Sequence, residues 1–331
     1  MSVRVLSVLV SIVSLALASE AFAQKKATSA SAKKPLNVLF IGNSYTARHN
    51  LASVVEAMAE AGNANLDFRP TTVIYGGRTL SDHWRLGTAN FVKLHLLTKE
   101  EELATIDLLN EAAQDPKDRY AKNALRKHKE LLAKLGSRHN KWDVVVLQSY
   151  RDDLEGAESL YAQFAPKFAE LAHAQGARVI LYVTTPTTQN AKPLAMAPEA
   201  GPVLEKTRSI AVLADQIDAS VAPMALVALR TQTERPDLTL RYVNDAHLNK
   251  TMAYLTACTL YAALFDRTPE GLPIDSITDI RFWQRADGTF DKTKDRDQQP
   301  IQQSFTAKDR ADLQRIAWES YSEFESMRKS K

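Results

Sequence analysis

Residues 38–46 read Val38-Leu39-Phe40-Ile41-Gly42-Asn43-Ser44-Tyr45-Thr46, and the rest of the chain takes its place from them. Four apolar residues in a row suit a short strand buried on both faces. Gly42 and Asn43 end it. Leu51, Val54, Val55 and Met58 then recur at helical spacing. The order is strand, tight turn, serine, helix. Ser44 is thereby expected at the carboxyl edge of a sheet, beside a helix N-terminus. Backbone N–H groups there can receive developing negative charge, which suits a nucleophile. A serine after a strand also serves as a helix cap or turn residue. What decides between these is what else the chain brings to the same edge.

The first residues carry the marks of an export signal. Arg4 precedes an apolar run from Val5 to Ala18, and Ala21-Phe22-Ala23 is a small-x-small cleavage site. The run is short for a bilayer span. The expectation is a signal peptide over 1–23 and a periplasmic or secreted mature chain from about Gln24, without stable membrane insertion. Residues 24–35, rich in Lys, Ser, Ala and Thr, read as a disordered linker. Cys258 is the one cysteine, so no intramolecular disulfide forms, and no Cys/His cluster has zinc spacing. A net charge of +3, with no basic stripe interleaved with aromatics, argues against a nucleic-acid partner.

Residues 36–331 read as one domain. Leu66 to Tyr75 is a second strand, ending in Gly76-Gly77. Residues 87–139 are charged and helical and read as an insertion, with Thr98-Lys99-Glu100-Glu101 as a capping box. Trp142 to Gln148 is the clearest strand, and Arg178 to Thr184 another. Helices are expected at about 156–175, over Val203–Ile217, over Thr251–Phe265 and over Ala307–Met327. Residues 184–202 and 230–249 read as loops. The run Val221–Leu229 fits strand and helix equally. Strands alternating with helices predict an α/β fold: a three-layer α/β/α sandwich around a central parallel sheet. Ligands of such sheets sit beyond the carboxyl ends of the strands. Ser44, Gly77 and Gln148 all fall at or just after such ends.

A nucleophilic serine needs a base. Of seven histidines, His247 lies in the polar stretch Tyr242-Val243-Asn244-Asp245-Ala246-His247-Leu248-Asn249, with an acid two residues away to orient it. His49 and His83 have no such neighbour.

Taken in order, these blocks resemble the SGNH/GDSL hydrolase superfamily, and most of all an exported bacterial branch whose first block reads G-N-S-[FY]-T. Gly42 to Thr46 matches that block. Tyr75 to Trp84 resembles the second, Trp142 to Gln148 the third, and Asn244 to His247 the last. The resemblance implies a serine esterase without a metal or organic cofactor. Ser44 would be the nucleophile and His247 the base. The oxyanion would be held by the N–H of Ser44, the N–H of Gly77 (Gly76 being the alternative) and the side-chain amide of Gln148. Two departures stand out. Glutamine replaces the asparagine many members have in the third block. The family's Asp-x-x-His is here Asn244-Asp245-Ala246-His247, which leaves Asp245 or Asn244 as the orienting residue. Asp245 is favoured, because a carboxylate stabilises the imidazolium and an amide does not. The resemblance points to O-acetyl groups on carbohydrate. Tyr45, Arg78 and Trp84 are the expected substrate-binding residues, with His83, Tyr150 and Arg151 as further rim candidates. The alternatives are an inactive glycan-binding domain of the same fold and an interaction protein that docks a partner through the helical insertion.

Overall fold

The computed structural model describes residues 33–134, 141–149, 159–184 and 189–329. The expected signal peptide and most of the expected linker lie outside them. The first strand, β1 (Lys34–Gly42), begins two residues earlier than the expected domain start. The elements that follow are α1 (Ser44–Ala47), α2 (Leu51–Gly62), β2 (Leu66–Ile74), α3 (Leu80–Arg85), α4 (Thr88–Val92), α5 (Lys99–Ala112) and α6 (Arg119–Lys134). Then come β3 (Val144–Leu147), α7 (Leu160–Ala174), β4 (Arg178–Val183), α8 (Gly201–Gln216), β5 (Ala219–Pro223), α9 (Met224–Glu234) and α10 (Lys250–Phe265). Four short strands, β6 (Ser276–Thr278), β7 (Trp283–Gln284), β8 (Phe290–Asp291) and β9 (Gln302–Ser304), precede the last helix, α11 (Ala307–Lys329).

The central sheet has five parallel strands in the order β2-β1-β3-β4-β5. Its registers run Val38 to Val144, Val144 to Arg178 and Val179 to Ala219. Side chains alternate across each strand, as the pleat requires. Val38 and Phe40 face α2, α10 and α11, whereas Leu39 and Ile41 face α7, α8 and the helices of the insertion. Both faces are therefore covered, and the three-layer α/β/α sandwich is the fold. Pro70 lies within β2, which is tolerable because β2 is an edge strand.

Helix α10 is apolar all round and buried along nearly its whole length. Cys258 lies within it, and burial pushes its thiol well above the ordinary range. The run Val221–Leu229 was ambiguous because β5 passes directly into α9 at Pro223. The same continuity carries α9 to Glu234, so the loop expected from residue 230 begins later. In the insertion, Thr98 Oγ1 accepts from Glu101 N at 3.2 Å and Glu101 Oε2 accepts from Thr98 N at 3.0 Å, closing the capping box. Leu109 and Ala124 seat α5 and α6 on the sheet's second face.

Candidate active site

Gly42 closes β1 where no side chain fits. A Cβ there would lie 2.4 Å from Thr46 Oγ1 and 2.5 Å from Gln148 Oε1. Asn43 caps the short helix that follows. Its Oδ1 accepts from Tyr45 N at 3.0 Å, and its carbonyl accepts from Thr46 N and Ala47 N, both at 3.1 Å. Ser44 is the first residue of α1, so its N–H has no acceptor within the helix.

The base arrives from a folded-back loop. Arg241 bridges Leu248, and Tyr242 N donates to His247 O at 3.2 Å. Asp297, on the segment between β8 and β9, accepts from Val243 N at 2.7 Å and from Asn244 N at 3.2 Å. Held this way, the loop points His247 at the serine. His247 Nε2 lies 2.7 Å from Ser44 Oγ, and Nδ1 is bonded to Asp245 Oδ1. Asp245 Oδ1 also accepts from His247 N at 3.1 Å. A carboxylate on Nδ1 keeps the proton there and leaves the Nε2 lone pair facing the serine hydroxyl. Burial works to raise the proton affinity of Asp245. The bonds from His247 and the charge of Arg48 outweigh that and hold its carboxyl well below the usual carboxylate range. Of the two possible orienting residues, Asp245 is the one in contact with the histidine, while Asn244 is exposed.

Three residues that the sequence did not single out stand behind the acid. Arg48 Nη1 reaches Asp245 Oδ2 at 3.2 Å, and Arg296 Nε lies 3.6 Å from the same oxygen. Arg48 itself grips Asp279 with two bonds, Nε to Oδ1 at 3.0 Å and Nη2 to Oδ2 at 2.5 Å. Asp279 also accepts from Tyr242 Oη at 2.7 Å. Nothing local in sequence pairs Arg48 with a carboxylate 231 positions away.

The second block also reaches the site. Asn43 Nδ2 donates to Arg78 O at 3.2 Å, which ties the Gly77 turn to the residue before the serine. Gly77 adopts φ +67°, a left-handed conformation that favours glycine. Tyr120 of α6 donates its hydroxyl to Gly76 O at 2.6 Å, and Arg78 stacks over its ring at 4.5 Å. The insertion thus touches the turn that carries Gly77.

Two expected roles require correction. Gln148 is fully buried, and its Oε1 accepts from Asn43 N at 2.8 Å and from Thr46 Oγ1 at 3.0 Å. These two donors fix which way the amide carbonyl faces. Gln148 braces the serine turn from beneath through its carbonyl oxygen, a structural role that the sequence did not foretell. Tyr45 is buried. It donates to Ala246 O at 2.8 Å and packs its ring 5.6 Å from that of His247, so it supports the base and is not placed to meet substrate. Trp84 is half-buried and packs edge-on against Phe164 and Phe168 of α7. Arg78 remains partly exposed at the rim. His83 is buried: it donates Nε2–H to Gly42 O at 3.0 Å, and burial lowers its pKa to about 4. Tyr150 and Arg151 lie outside the described residues.

Fold and site together define a parallel α/β/α sandwich that carries a serine, a histidine and an aspartate in hydrogen-bonded sequence at the carboxyl edge of its sheet. No family model matches the chain, and a search of curated proteins finds no match. Among solved structures, a candidate SGNH hydrolase from Slackia heliotrinireducens is similar at 18% identity and TM-score 0.42, over 70% of this chain and 100% of that one. A DUF4886 family protein from Bacteroides uniformis is similar at 13% identity and TM-score 0.44, over 87% of this chain and 95% of that one. A gut microbial diltiazem-metabolizing enzyme is similar at 12% identity and TM-score 0.32, over 71% of this chain and 47% of that one.

Proposed function

We propose that this protein is an exported serine esterase of SGNH type that removes small acyl groups, O-acetyl above all, from carbohydrate. The observation that carries the proposal is the array Ser44 Oγ to His247 Nε2 at 2.7 Å with Asp245 on the other ring nitrogen. His247 takes the proton of Ser44 as the oxygen attacks the ester carbonyl, giving a tetrahedral oxyanion. The N–H groups of Ser44 and Gly77 are the donors suited to that oxyanion. Asp245 holds the imidazolium that results. Collapse expels the alcohol, protonated by His247, and leaves an acyl-serine. Water activated by the same histidine then releases the carboxylic acid.

A hydrated substrate is favoured by the rim, where Arg78 and Asn244 are polar and at least partly exposed. No described helix is long and apolar enough to cross a membrane. Export is supported by the charged start, apolar run and Ala21-Phe22-Ala23 cleavage site in the sequence. The test is release of acetate from acetylated oligosaccharides and from p-nitrophenyl acetate by the purified mature protein. Turnover abolished by Ser44→Ala is the expected result. Tight binding of acetylated glycan with no acetate released would instead make the chain an inactive glycan-binding domain.

A further inference from the structure

A triad aspartate needs to accept on one side only, from its histidine. Here the second oxygen of Asp245 faces a guanidinium whose own partner is another buried carboxylate. Arg48 and Asp279 are 2% exposed each, too deep to be a solvated surface pair. The backbone has been bent to place them. His49 and Asn50 follow Arg48 with φ of 60° and 52°, left-handed conformations that cost a non-glycine residue energy. Asp279 lies just past β6, where Ile280 N at 2.7 Å and Arg281 N at 3.3 Å also bind its Oδ1.

Resting on the esterase reading above, we propose that Arg48 and Asp279 are a charge-balanced pair of positioning residues that fixes Asp245 for His247 without cancelling its negative charge. Arg48 alone would lock the carboxylate in place but weaken its hold on the imidazolium, since the nearby positive charge opposes protonation of the ring. Asp279 offsets that charge. Asp245, partly buried, and the buried Arg48 and Asp279 then sum to one negative charge beside the base, with a geometry that a lone aspartate on a loop would lack.

The other charged and titratable neighbours stand as follows around this trio. Arg296, 3.6 Å from Asp245 Oδ2 with its side chain 34% accessible, adds a positive charge that solvent screens in part and that is common to the parent and every variant tested below. His49 donates Nε2–H to Leu248 O at 3.0 Å, and its Nδ1 faces Asp279 Oδ1 at 3.8 Å. Burial lowers its pKa to about 4, so it is neutral at pH 7. Tyr242 donates to Asp279 and lies under the guanidinium of Arg48, 5.2 Å from the ring centre. Lys250, beyond that ring at 5.9 Å, is paired with Asp295. Around His247 itself stand Asp245, Ser44 and the ring of Tyr45.

The test is the titration of the His247 ring, followed by NMR in the full mature chain and assigned by its loss in His247→Asn. Asp279→Asn leaves Arg48 uncompensated and lowers the midpoint. Arg48→Met removes the positive charge and raises it, because Tyr242 Oη and two backbone N–H groups still hold Asp279 ionised. Each shift is on the order of half to one pH unit. The double variant Arg48→Met/Asp279→Asn buries no unpaired charge, folds where a single variant fails, and returns the midpoint close to the parent value. The acid limb of kcat/KM moves with each midpoint, while KM stays nearly constant. A merely structural pair would move no midpoint, or would move both single variants in the same direction, and either result overturns the proposal. If the parent protein hydrolyses no ester, the esterase reading fails, yet the opposed midpoint shifts still decide the electrostatic one.

Discussion

Asp245→Asn separates the orienting residue from its neighbour and depends on a peculiarity of this site. A carboxylate presents acceptors on both oxygens. At Asp245 both are used: Oδ1 takes two N–H groups of His247, and Oδ2 faces Arg48 at 3.2 Å and Arg296 at 3.6 Å. Every one of those partners is a donor once His247 carries its proton on Nδ1. An asparagine has a single acceptor atom. If its oxygen faces His247, its NH2 abuts a guanidinium, and the negative charge that stabilised the imidazolium is gone. If its oxygen turns to Arg48, its NH2 faces His247 and forces the other tautomer, with the proton on the nitrogen that should accept from Ser44. Both outcomes disable the base. The closest precedent, loss of the acid in a serine protease triad, costs about ten-thousand-fold in turnover, and a fall of about 1,000- to 10,000-fold is expected here. The unmatched donor costs about 1–3 kcal/mol of stability, which leaves the protein folded at 25 °C. Asn244→Ala, at an exposed position, stays within a few-fold of the parent. The assay is kcat/KM on p-nitrophenyl acetate alongside the thermal melt. Activity of Asp245→Asn within ten-fold of the parent, or an equal loss in Asn244→Ala, would refute the assignment.

Three further outcomes follow from the same geometry. Gln148→Ala strips the buried Asn43 N–H and Thr46 hydroxyl of their acceptor and should lower stability by about 1–3 kcal/mol in denaturant melts; an unchanged melt with a lost kcat would restore Gln148 to the oxyanion hole. Tyr120→Phe deletes only the hydroxyl on Gly76 O at 2.6 Å, so kcat should drop several-fold with KM and melting temperature nearly constant, and no change in kcat would detach the insertion from the Gly77 turn. His83 and His49 are buried neutral with pKa lowered to about 4. The unfolded chain binds protons at both from about pH 6.5 downward while the folded one does not, so stability falls as pH drops from about 6.5 to about 4, by about 1.4 kcal/mol per pH unit per histidine. His83→Gln should flatten that slope by one proton, and an unaltered slope would count against it.

The sequence carries the line of the sheet plainly, because strands buried on both faces write themselves as unbroken apolar runs, as Val144–Leu147 does. It also carries the approach of His247 and Asp245, since both sit in one polar loop ahead of an apolar helix. What it does not carry is direction. A glutamine at a strand end reads alike whether its amide points out to substrate or back to the Asn43 backbone, and packing under Gly42 selects the second. Tyr45 and Trp84 are aromatic residues near the serine in sequence, but helix geometry turns one beneath His247 and the other onto Phe168. Arg48 and Asp279 are invisible for another reason. Each is an ordinary charged residue in its own segment, and only the closure of the fold brings them behind the acid. The segment from 266 to 306, with its four short strands, supplies Asp279, Arg296 and Asp297, and it has no periodicity that marks it in advance.

The most direct measurement is the site of covalent labelling by a fluorophosphonate, read by peptide mass spectrometry, with acetate release followed in parallel. One phosphonyl group on Ser44, no label and no turnover in Ser44→Ala, and an unchanged melt for that variant are the results expected of a serine esterase. Full acetate release by Ser44→Ala, or a label on another residue with Ser44 untouched, would contradict it.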